Sequence, residues 1–190
     1  IACTNSPELK NGLDLSRSHG ITKEKSKLYS DLDENWFYEQ HTLGYNYRMT
    51  DIVAALGISQ LERVDDFVNK RNKLALRYND LLSESPIILP HIIDESYSSF
   101  HLYVILIDES KTALKRKELY NYLFFNKNIG VNVHYIPIYK HPYYQKLDKN
   151  FAEQTNAENY YKRALSIPMY PDLNDNELEY ISNSIRDFFK

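Results

Sequence analysis

The sequence predicts a mixed α and β protein of 190 residues, in which a long helix precedes a smaller unit of strands and helices. Two observations lead to this expectation. Residues 83–190 alternate short apolar runs with amphipathic segments, an order that favours an α+β sheet with helices on one side. Ahead of them, over residues 51–82, apolar residues recur mostly three or four positions apart, which is the spacing of one long helix.

Composition and charge exclude several classes of protein. The hydrophobic share of 43% and the charged share of 26% are ordinary for a soluble domain. A net charge of -3 gives no basic footprint for a nucleic acid or an anionic membrane. The single cysteine, Cys3, cannot form an internal disulfide framework and fits a reducing compartment. We therefore expect a cytoplasmic protein with neither nucleic-acid nor membrane partners.

The first fifty residues read as a strand, a helix and a polar loop. Residues 1–5, which begin with the apolar Ile1, Ala2 and Cys3, are expected to form a short buried strand. Ser6 can cap a helix with Pro7 at its first position, and this helix should end near Ser18, before His19 and Gly20. Its inward residues are expected to be Leu9, Leu13 and Leu15. Residues 22–42 are polar and predict an exposed loop, whose aromatic triplet is Trp36, Phe37 and Tyr38.

The long helix should begin at Thr50 or Asp51, because either side chain can accept hydrogen bonds from the first free backbone N–H groups. Its spacing predicts one buried stripe. The residues of this stripe include Ile52, Leu56, Leu61, Val64, Phe67, Val68, Leu74, Tyr78 and Leu81.

The C-terminal unit follows the boundary at Ser83 to Pro86. Its predicted strands cover residues 87–89, 100–107, 131–137 and 166–171. Its predicted helices cover residues 111–128, 155–165 and 177–188. The last of these helices should be capped by Asn174 or Asp175, with Leu178, Ile181, Ile185 and Phe188 buried.

A polar loop directly ahead of the long helix is the first candidate site. Asn46 and Arg48 lie there between two phenols, Tyr45 and Tyr47. Helix N-termini, amide N–H groups and guanidinium forks all suit anions, so the expected guest is a phosphate or a carboxylate. The alternative is a purely structural loop in which Arg48 pairs with a surface carboxylate.

A second candidate site is the segment of histidines and tyrosines from His134 to Tyr144. Its two histidines, His134 and His141, are seven residues apart, a spacing that does not match common metal sites, so we expect no metal. No nucleophilic triad and no glycine-rich phosphate loop is evident. Either the segment forms a polar and aromatic wall for a sugar or its nucleotide, or His134 is a satisfied sheet histidine and the tyrosines fill a core.

Both segments resemble one family of enzymes. Residues 44–61, GYNYRMTDIVAALGISQL, resemble a segment of the pyridoxal-phosphate (PLP)-dependent sugar aminotransferases, as do the Arg-x-His-Gly string at 17–20 and the His-Tyr-x-Pro pattern at 134–144. The resemblance covers nearly the whole chain and is nearest to the C4 aminotransferases of pseudaminic acid type sugar synthesis. It implies an α/β fold of type I. Residues 1–50 would be the tail of the large cofactor domain, 51–82 a linking helix and 83–190 a small domain with an antiparallel sheet.

The resemblance also implies a reaction. The parent enzyme would move an amino group from glutamate to a nucleotide-linked 4-keto-6-deoxy sugar, as a homodimer with shared active sites. Asn46 and Arg48 would bind the cofactor, Asn46 at the phosphate of the partner subunit. His134, Tyr135 and Tyr45 would bind the substrate.

The lysine that forms the Schiff base with PLP would precede residue 1. We therefore expect this chain to contain no catalytic residue and to be inactive alone. Two alternatives stay open, a non-catalytic dimerisation or sugar-binding module, and a PLP-dependent sugar dehydratase of the same family.

Overall fold

A computed structural model describes residues 2–31, 34–147 and 155–190, which fall into two compact units, Ile1–Glu62 and Arg63–Lys190. Within these described ranges, no helix is both long and apolar enough to cross a bilayer.

The first unit contains two helices and a small antiparallel pair of strands. Helix α1 spans Pro7–Arg17 and helix α2 spans Asp51–Leu61, while β1, Ile21–Thr22, pairs with β2, Glu39–Gln40. A 3-10 turn covers Lys25–Lys27. The predicted start of α1 is confirmed, because the Ser6 hydroxyl accepts a hydrogen bond from the Leu9 N–H at 3.2 Å.

The predicted strand over residues 1–5 is wrong for the part that the structure describes. Residues 2–5 have no strand geometry, and Ala2 and Cys3 are exposed. A strand needs a neighbour for its backbone groups, and none of the described strands pairs with this segment. The predicted inward positions in α1 also differ, since Leu9 and Leu13 are both exposed.

The second unit is built on an antiparallel sheet in the order β3-β4-β5. Strand β3 is Ile87–Ile88, β4 is Tyr103–Ile107 and β5 is Ala164–Ile167. The register places Tyr103 opposite Ile167 and Ile105 opposite Leu165. Because directly opposed residues lie on one face of a sheet, these side chains share the face that enters the core.

Helices of this unit complete the same core. They are α3, Val64–Leu82; α4, Arg116–Asn121; α5, Pro142–Leu147; α6, Thr155–Arg163; and α7, Asp175–Phe188. The buried cluster joins the sheet to Leu74, Tyr78 and Leu82 of α3, Leu119 of α4, and Leu178, Ile181 and Ile185 of α7. The predicted combination of helices with an antiparallel sheet is confirmed, as is the burial of Leu178, Ile181 and Ile185 in α7. The fourth residue of the predicted stripe, Phe188, is only half-buried.

The long helix predicted over 51–82 is interrupted. Helix α2 ends at Leu61, a turn follows at Glu62 and Arg63, and α3 begins at Val64. Arg63 has φ of -108° and ψ of 0°, outside the helical region. The break falls on two good helix formers, so the apolar spacing gave no sign of it. The assignment of residues 1–50, 51–82 and 83–190 to parts of a larger enzyme stays a prediction.

Burial also divides the predicted stripe between these two helices. Leu74 and Tyr78 of α3 are buried, but Ile52, Leu56 and Leu61 of α2 are exposed. Helix α2 carries apolar residues on all sides. The spacing of its apolar residues therefore does not identify which face of the helix is buried.

Several elements of the C-terminal unit are shorter than predicted, among them β3 and β4. The helix expected over 111–128 begins at Arg116, and its last part, Tyr122–Asn126, widens into a π-helix. The strand expected over 131–137 is reduced to a bridge between Asn132 and Ser166. Burial does not follow the alternating pattern either, because Val131 is buried, Val133 is half-buried and Tyr135 is exposed.

Candidate functional site

The polar loop of the first unit is tied to the end of α1 by backbone hydrogen bonds. The Tyr45 N–H donates to the Ser16 carbonyl at 2.6 Å, and the Tyr47 N–H donates to the Arg17 carbonyl at 2.9 Å. The His19 N–H donates to the Tyr45 carbonyl at 2.9 Å. Asn46 therefore sits in a paired, extended segment rather than in a free loop.

Two glycines allow this close approach. Gly20 has φ of 70°, and a Cβ there would overlap the carbonyl oxygen of Thr42. A Cβ on Gly44 would in turn overlap the backbone N of Gly20. The sequence identified Gly20 only as the end of a helix, and no spacing signal indicated that the two glycines meet.

The side chains of the loop alternate between its two sides. The rings of Tyr45 and Tyr47 stack with centroids 4.9 Å apart and planes 13° apart, and both side chains are exposed. By alternation the Asn46 amide lies on the opposite side, facing Ser18 across the bridge. Arg48 follows two residues later and is exposed as well.

The polar groups of this loop are available to a ligand. Among the residues that the structure describes, neither the Asn46 amide nor the Arg48 guanidinium has a hydrogen-bond or ion-pair partner. The surface ion pair considered as an alternative for Arg48 is thus not formed within this part of the chain.

Helix α2 starts directly behind these groups. The Thr50 hydroxyl accepts a hydrogen bond from the Val53 N–H at 3.4 Å, so Thr50 rather than Asp51 is the cap. Amide and guanidinium N–H groups beside a helix start form a donor set that suits a phosphate. The residues present therefore fit the phosphate end of PLP.

The second candidate segment belongs to the second unit. The His134 ring is half-buried, and its Nδ1 lies 2.8 Å from the Ser166 hydroxyl on β5. Tyr135 follows through a cis peptide bond, is exposed, and stacks on His141 with centroids 5.6 Å apart. The structure thus holds the histidine on the sheet, while the tyrosine ring projects to the surface.

A buried carboxylate anchors the turn that follows this segment. The Tyr139 hydroxyl donates to Glu158 Oε1 at 2.7 Å, and the Lys140 ammonium lies 2.5 Å from Glu158 Oε2. The hydrogen bond from Lys140, and then that from Tyr139, hold the pKa of the Glu158 carboxyl below its usual value. Sequence reasoning missed Glu158, because nothing in its local spacing connects it to Tyr139.

A metal centre is not evident in the described ranges. There, no three His, Cys, Asp or Glu side chains are grouped closely enough to hold an ion.

Comparisons with known proteins place both segments in one family. The profile of the DegT/DnrJ/EryC1/StrS aminotransferase family matches residues 1–186. The spore coat polysaccharide biosynthesis protein SpsC of Bacillus subtilis is 38% identical over 189 residues, which cover 98% of this chain and 48% of SpsC. A UDP-4-amino-4,6-dideoxy-N-acetyl-beta-L-altrosamine transaminase of Campylobacter jejuni is 34% identical, over 96% of this chain and 46% of its own length.

Solved structures of sugar aminotransferases also match this chain. Helicobacter pylori PseC, an aminotransferase involved in the biosynthesis of pseudoaminic acid, matches with a TM-score of 0.84 and 32% identity, over 98% of this chain and 47% of PseC. The PLP form of Spr1654, a sugar aminotransferase of Streptococcus pneumoniae, matches with a TM-score of 0.79 and 25% identity, over 97% of this chain and 44% of Spr1654.

The chain therefore spans about half the length of the curated relatives it matches. The resemblance to PLP-dependent sugar aminotransferases, inferred above from residues 17–20, 44–61 and 134–144, is confirmed. With 186 of its 190 residues matched, the chain belongs to the DegT/DnrJ/EryC1/StrS aminotransferase family.

Proposed function

We propose that the whole protein transfers an amino group from glutamate to a nucleotide-linked 4-keto-6-deoxy sugar, using PLP, in the synthesis of a surface polysaccharide or glycan. Membership of the family supports the reaction type and the cofactor. The names of SpsC and of the Campylobacter transaminase support the substrate class. The observation that carries the proposal is the loop paired with α1, in which Asn46 and Arg48 have no hydrogen-bond or ion-pair partner among the described residues.

In this proposal, Asn46 and Arg48 bind the cofactor phosphate. The Asn46 amide would donate one N–H to the phosphate, and the Arg48 guanidinium would donate two. The backbone hydrogen bonds between this loop and α1 fix the position of these donors. The chemistry supplied by bound PLP is electron withdrawal from the carbon that bears the amino group. We assign no catalytic residue to this chain, so its residues would bind and orient the cofactor and the substrate.

His134 and Tyr135 of the second unit would bind the substrate, and substrate binding by Tyr45 of the first unit stays a prediction from the resemblance. Because His134 Nδ1 is engaged by the Ser166 hydroxyl, its Nε2 is left to bond a sugar hydroxyl. The exposed rings of Tyr135 and Tyr45 offer flat apolar faces for a sugar ring.

The proposed partner is a second copy of the protein, with Asn46 of one subunit at the phosphate of the other. Helix α2 supports this, because the exposed fractions of Ile52, Leu56 and Leu61 are 84%, 60% and 70%. Exposed apolar surface of this kind marks a protein interface. A cytoplasmic location stays a prediction, supported by the single cysteine.

Replacing Asn46 by alanine in the whole protein tests the proposal. We expect the affinity for PLP to fall about tenfold, because one hydrogen bond to a charged phosphate is lost. Asn5→Ala is the matched control, since Asn5 is an exposed asparagine of the same unit. The affinity is measured by titrating the apo-protein with PLP and following absorbance. Equal affinities for wild type and Asn46→Ala would contradict the role of Asn46.

A further inference from the structure

The His134 ring is hydrogen-bonded to a buried side chain, the hydroxyl of Ser166 on β5. Ser166 is 5% exposed, and its Oγ lies 2.8 Å from Nδ1 of His134. The backbones of Ser166 and Asn132 are paired in both directions, with N···O distances of 2.8 Å and 3.1 Å. His134 follows Asn132 by two residues, so Ser166 and His134 are diagonal neighbours on one face of this bridge. The backbone pairing therefore fixes where the hydroxyl meets the ring.

This contact can form in two ways, which differ in the direction of the hydrogen bond. In one, the Ser166 O–H donates to an unprotonated Nδ1, and the neutral ring carries its proton on Nε2. In the other, a protonated Nδ1 donates to Oγ, and Nε2 is unprotonated. The two tautomers offer opposite groups to a ligand at Nε2, a donor in the first and an acceptor in the second.

The burial of Ser166 distinguishes between the two tautomers. Among residues 2–31, 34–147 and 155–190, the Ser166 hydroxyl has His134 as its one hydrogen-bond partner. If Nδ1 donated to Oγ, the hydroxyl proton would have no acceptor in this part of the chain. Because a buried donor without an acceptor is costly and rare, donation from Ser166 to Nδ1 is the direction that satisfies both groups.

The other ring nitrogen of His134 is available to a ligand. The ring is half-buried, and within the described ranges its Nε2 has no hydrogen-bond or ion-pair partner. With the proton on Nε2 and with Nδ1 engaged, the neutral ring has no nitrogen lone pair left to accept a proton. It can donate to an oxygen of a ligand, but it cannot remove a proton from that ligand.

We propose that Ser166 is a positioning residue that holds neutral His134 in the Nε2–H tautomer, so that His134 presents a hydrogen-bond donor to the substrate and does not act as a base. The inference rests on the proposed function, in which His134 contacts the sugar. Ser166 itself would not touch the substrate. It would act by fixing the orientation and the tautomer of the ring, because the partner of one ring nitrogen determines which nitrogen carries the proton.

Nitrogen-15 NMR of the chain, labelled in its six histidines, tests the proposal without substrate or cofactor. At about pH 9, above the range in which free imidazole titrates, we expect His134 to show a protonated Nε2 and an unprotonated Nδ1. The His134 resonances are assigned by their absence in His134→Ala. A protonated Nδ1 with an unprotonated Nε2 would overturn the proposal, and this measurement needs no variant of Ser166.

Variants of Ser166 test whether its hydroxyl selects the tautomer. In Ser166→Ala both tautomers should become populated, so the Nε2 resonance should move toward that of an unprotonated nitrogen. Ser166→Thr keeps a hydroxyl and suits a strand, so it should restore the wild-type resonance. Ser182→Ala is the matched control, because Ser182 is a fully buried serine of the same unit whose Oγ has no partner in the described residues. The proposal is overturned if Ser166→Ala leaves the resonance unchanged, or if Ser182→Ala moves it as far.

Steady-state kinetics of the whole protein separate positioning from a general loss of structure. We expect Ser166→Ala to raise the KM for the nucleotide sugar about fivefold to tenfold with little change in kcat, because a binding contact is weakened. The KM for glutamate should stay within about twofold of wild type. Equal rises in both KM values would contradict a positioning role. An unchanged KM for the nucleotide sugar in His134→Ala would instead contradict the proposed function at His134, and the NMR result tests Ser166 independently of it.

Discussion

At the scale of single residues, the lack of a Cβ atom at Gly20 and Gly44 determines the position of the loop that carries Asn46 and Arg48. Gly20 and Gly44 let two backbone segments cross in contact, and the pairing of Tyr45 and Tyr47 with the end of α1 depends on that contact. Any side chain at either glycine would separate the two segments. Asn46 would then lose its fixed position.

A substitution at Gly20 should expose this dependence. We expect Gly20→Ala to lower the free energy of unfolding of the first unit by about 2 kcal/mol or more, from positive φ and from overlap with Thr42. Hydrogen exchange of the Tyr45 and Tyr47 amides measures the change.

Gly12→Ala is the control for this experiment. Gly12 lies inside α1 with no atom within 4 Å of an added Cβ, so alanine should stabilise the helix by about 0.5–1 kcal/mol. Equal protection of the Tyr47 amide in wild type and Gly20→Ala would show that the glycine contact does not hold the loop.

At the scale of elements, the helices differ in what holds them. Helix α3 buries Leu74, Tyr78 and Leu82, and the Tyr78 hydroxyl donates to the Pro168 carbonyl at 3.0 Å. Helix α2 buries none of its residues. Since helices in proteins gain most of their stability from a packed face, α2 depends on a surface beyond its own unit.

Helix α7 allows a test of capping. The Asn174 side chain accepts from the Glu177 N–H at 3.0 Å, and the Glu177 carboxylate accepts from the Asn174 N–H at 3.0 Å. We expect Asn174→Ala to lower the free energy of unfolding by about 1 kcal/mol, because a helix N–H loses its acceptor. Denaturation in urea, followed by circular dichroism, measures the loss.

Asn174→Ser is the rescue variant, because serine is also a good N-cap, and it should differ from wild type by a few tenths of a kcal/mol. If serine is as damaging as alanine, the cap is not the source of the effect.

At the scale of the whole second unit, stability should depend on pH through Glu158. Its pKa lies below the ordinary 4.5, so the charged carboxylate stabilises the fold above that pH and loses this contribution as the pH falls through the lowered pKa. We expect Glu158→Gln to be less stable than wild type at neutral pH. The difference should shrink in acid, because wild-type Glu158 becomes protonated there.

Urea midpoints at about pH 7 and about pH 2 measure this difference. Glu84→Gln is the control, since Glu84 is exposed and outside these contacts. A destabilisation by Glu158→Gln that is equal at both pH values would contradict an electrostatic role.

Much of this architecture was predictable from local patterns. Ser6 with Pro7, Thr50 and Asn174 were all proposed as helix starts, because capping depends on residues within one turn. The break at Glu62 and Arg63 was not predictable, since both residues suit a helix interior. Glu158 and Ser166 were missed as partners of Tyr139 and His134, because those contacts join distant parts of the chain.

The sequence by itself determined the family, the class of elements and the residues with donor groups. These properties follow from the local spacing of apolar and capping residues and from sequence motifs such as residues 44–61. Only the tertiary structure decided which polar groups are engaged and which are free. It paired His134 with Ser166 and left Asn46 and Arg48 without hydrogen-bond or ion-pair partners in the described ranges. Partnership depends on which segments meet in space, and residue order alone does not specify that.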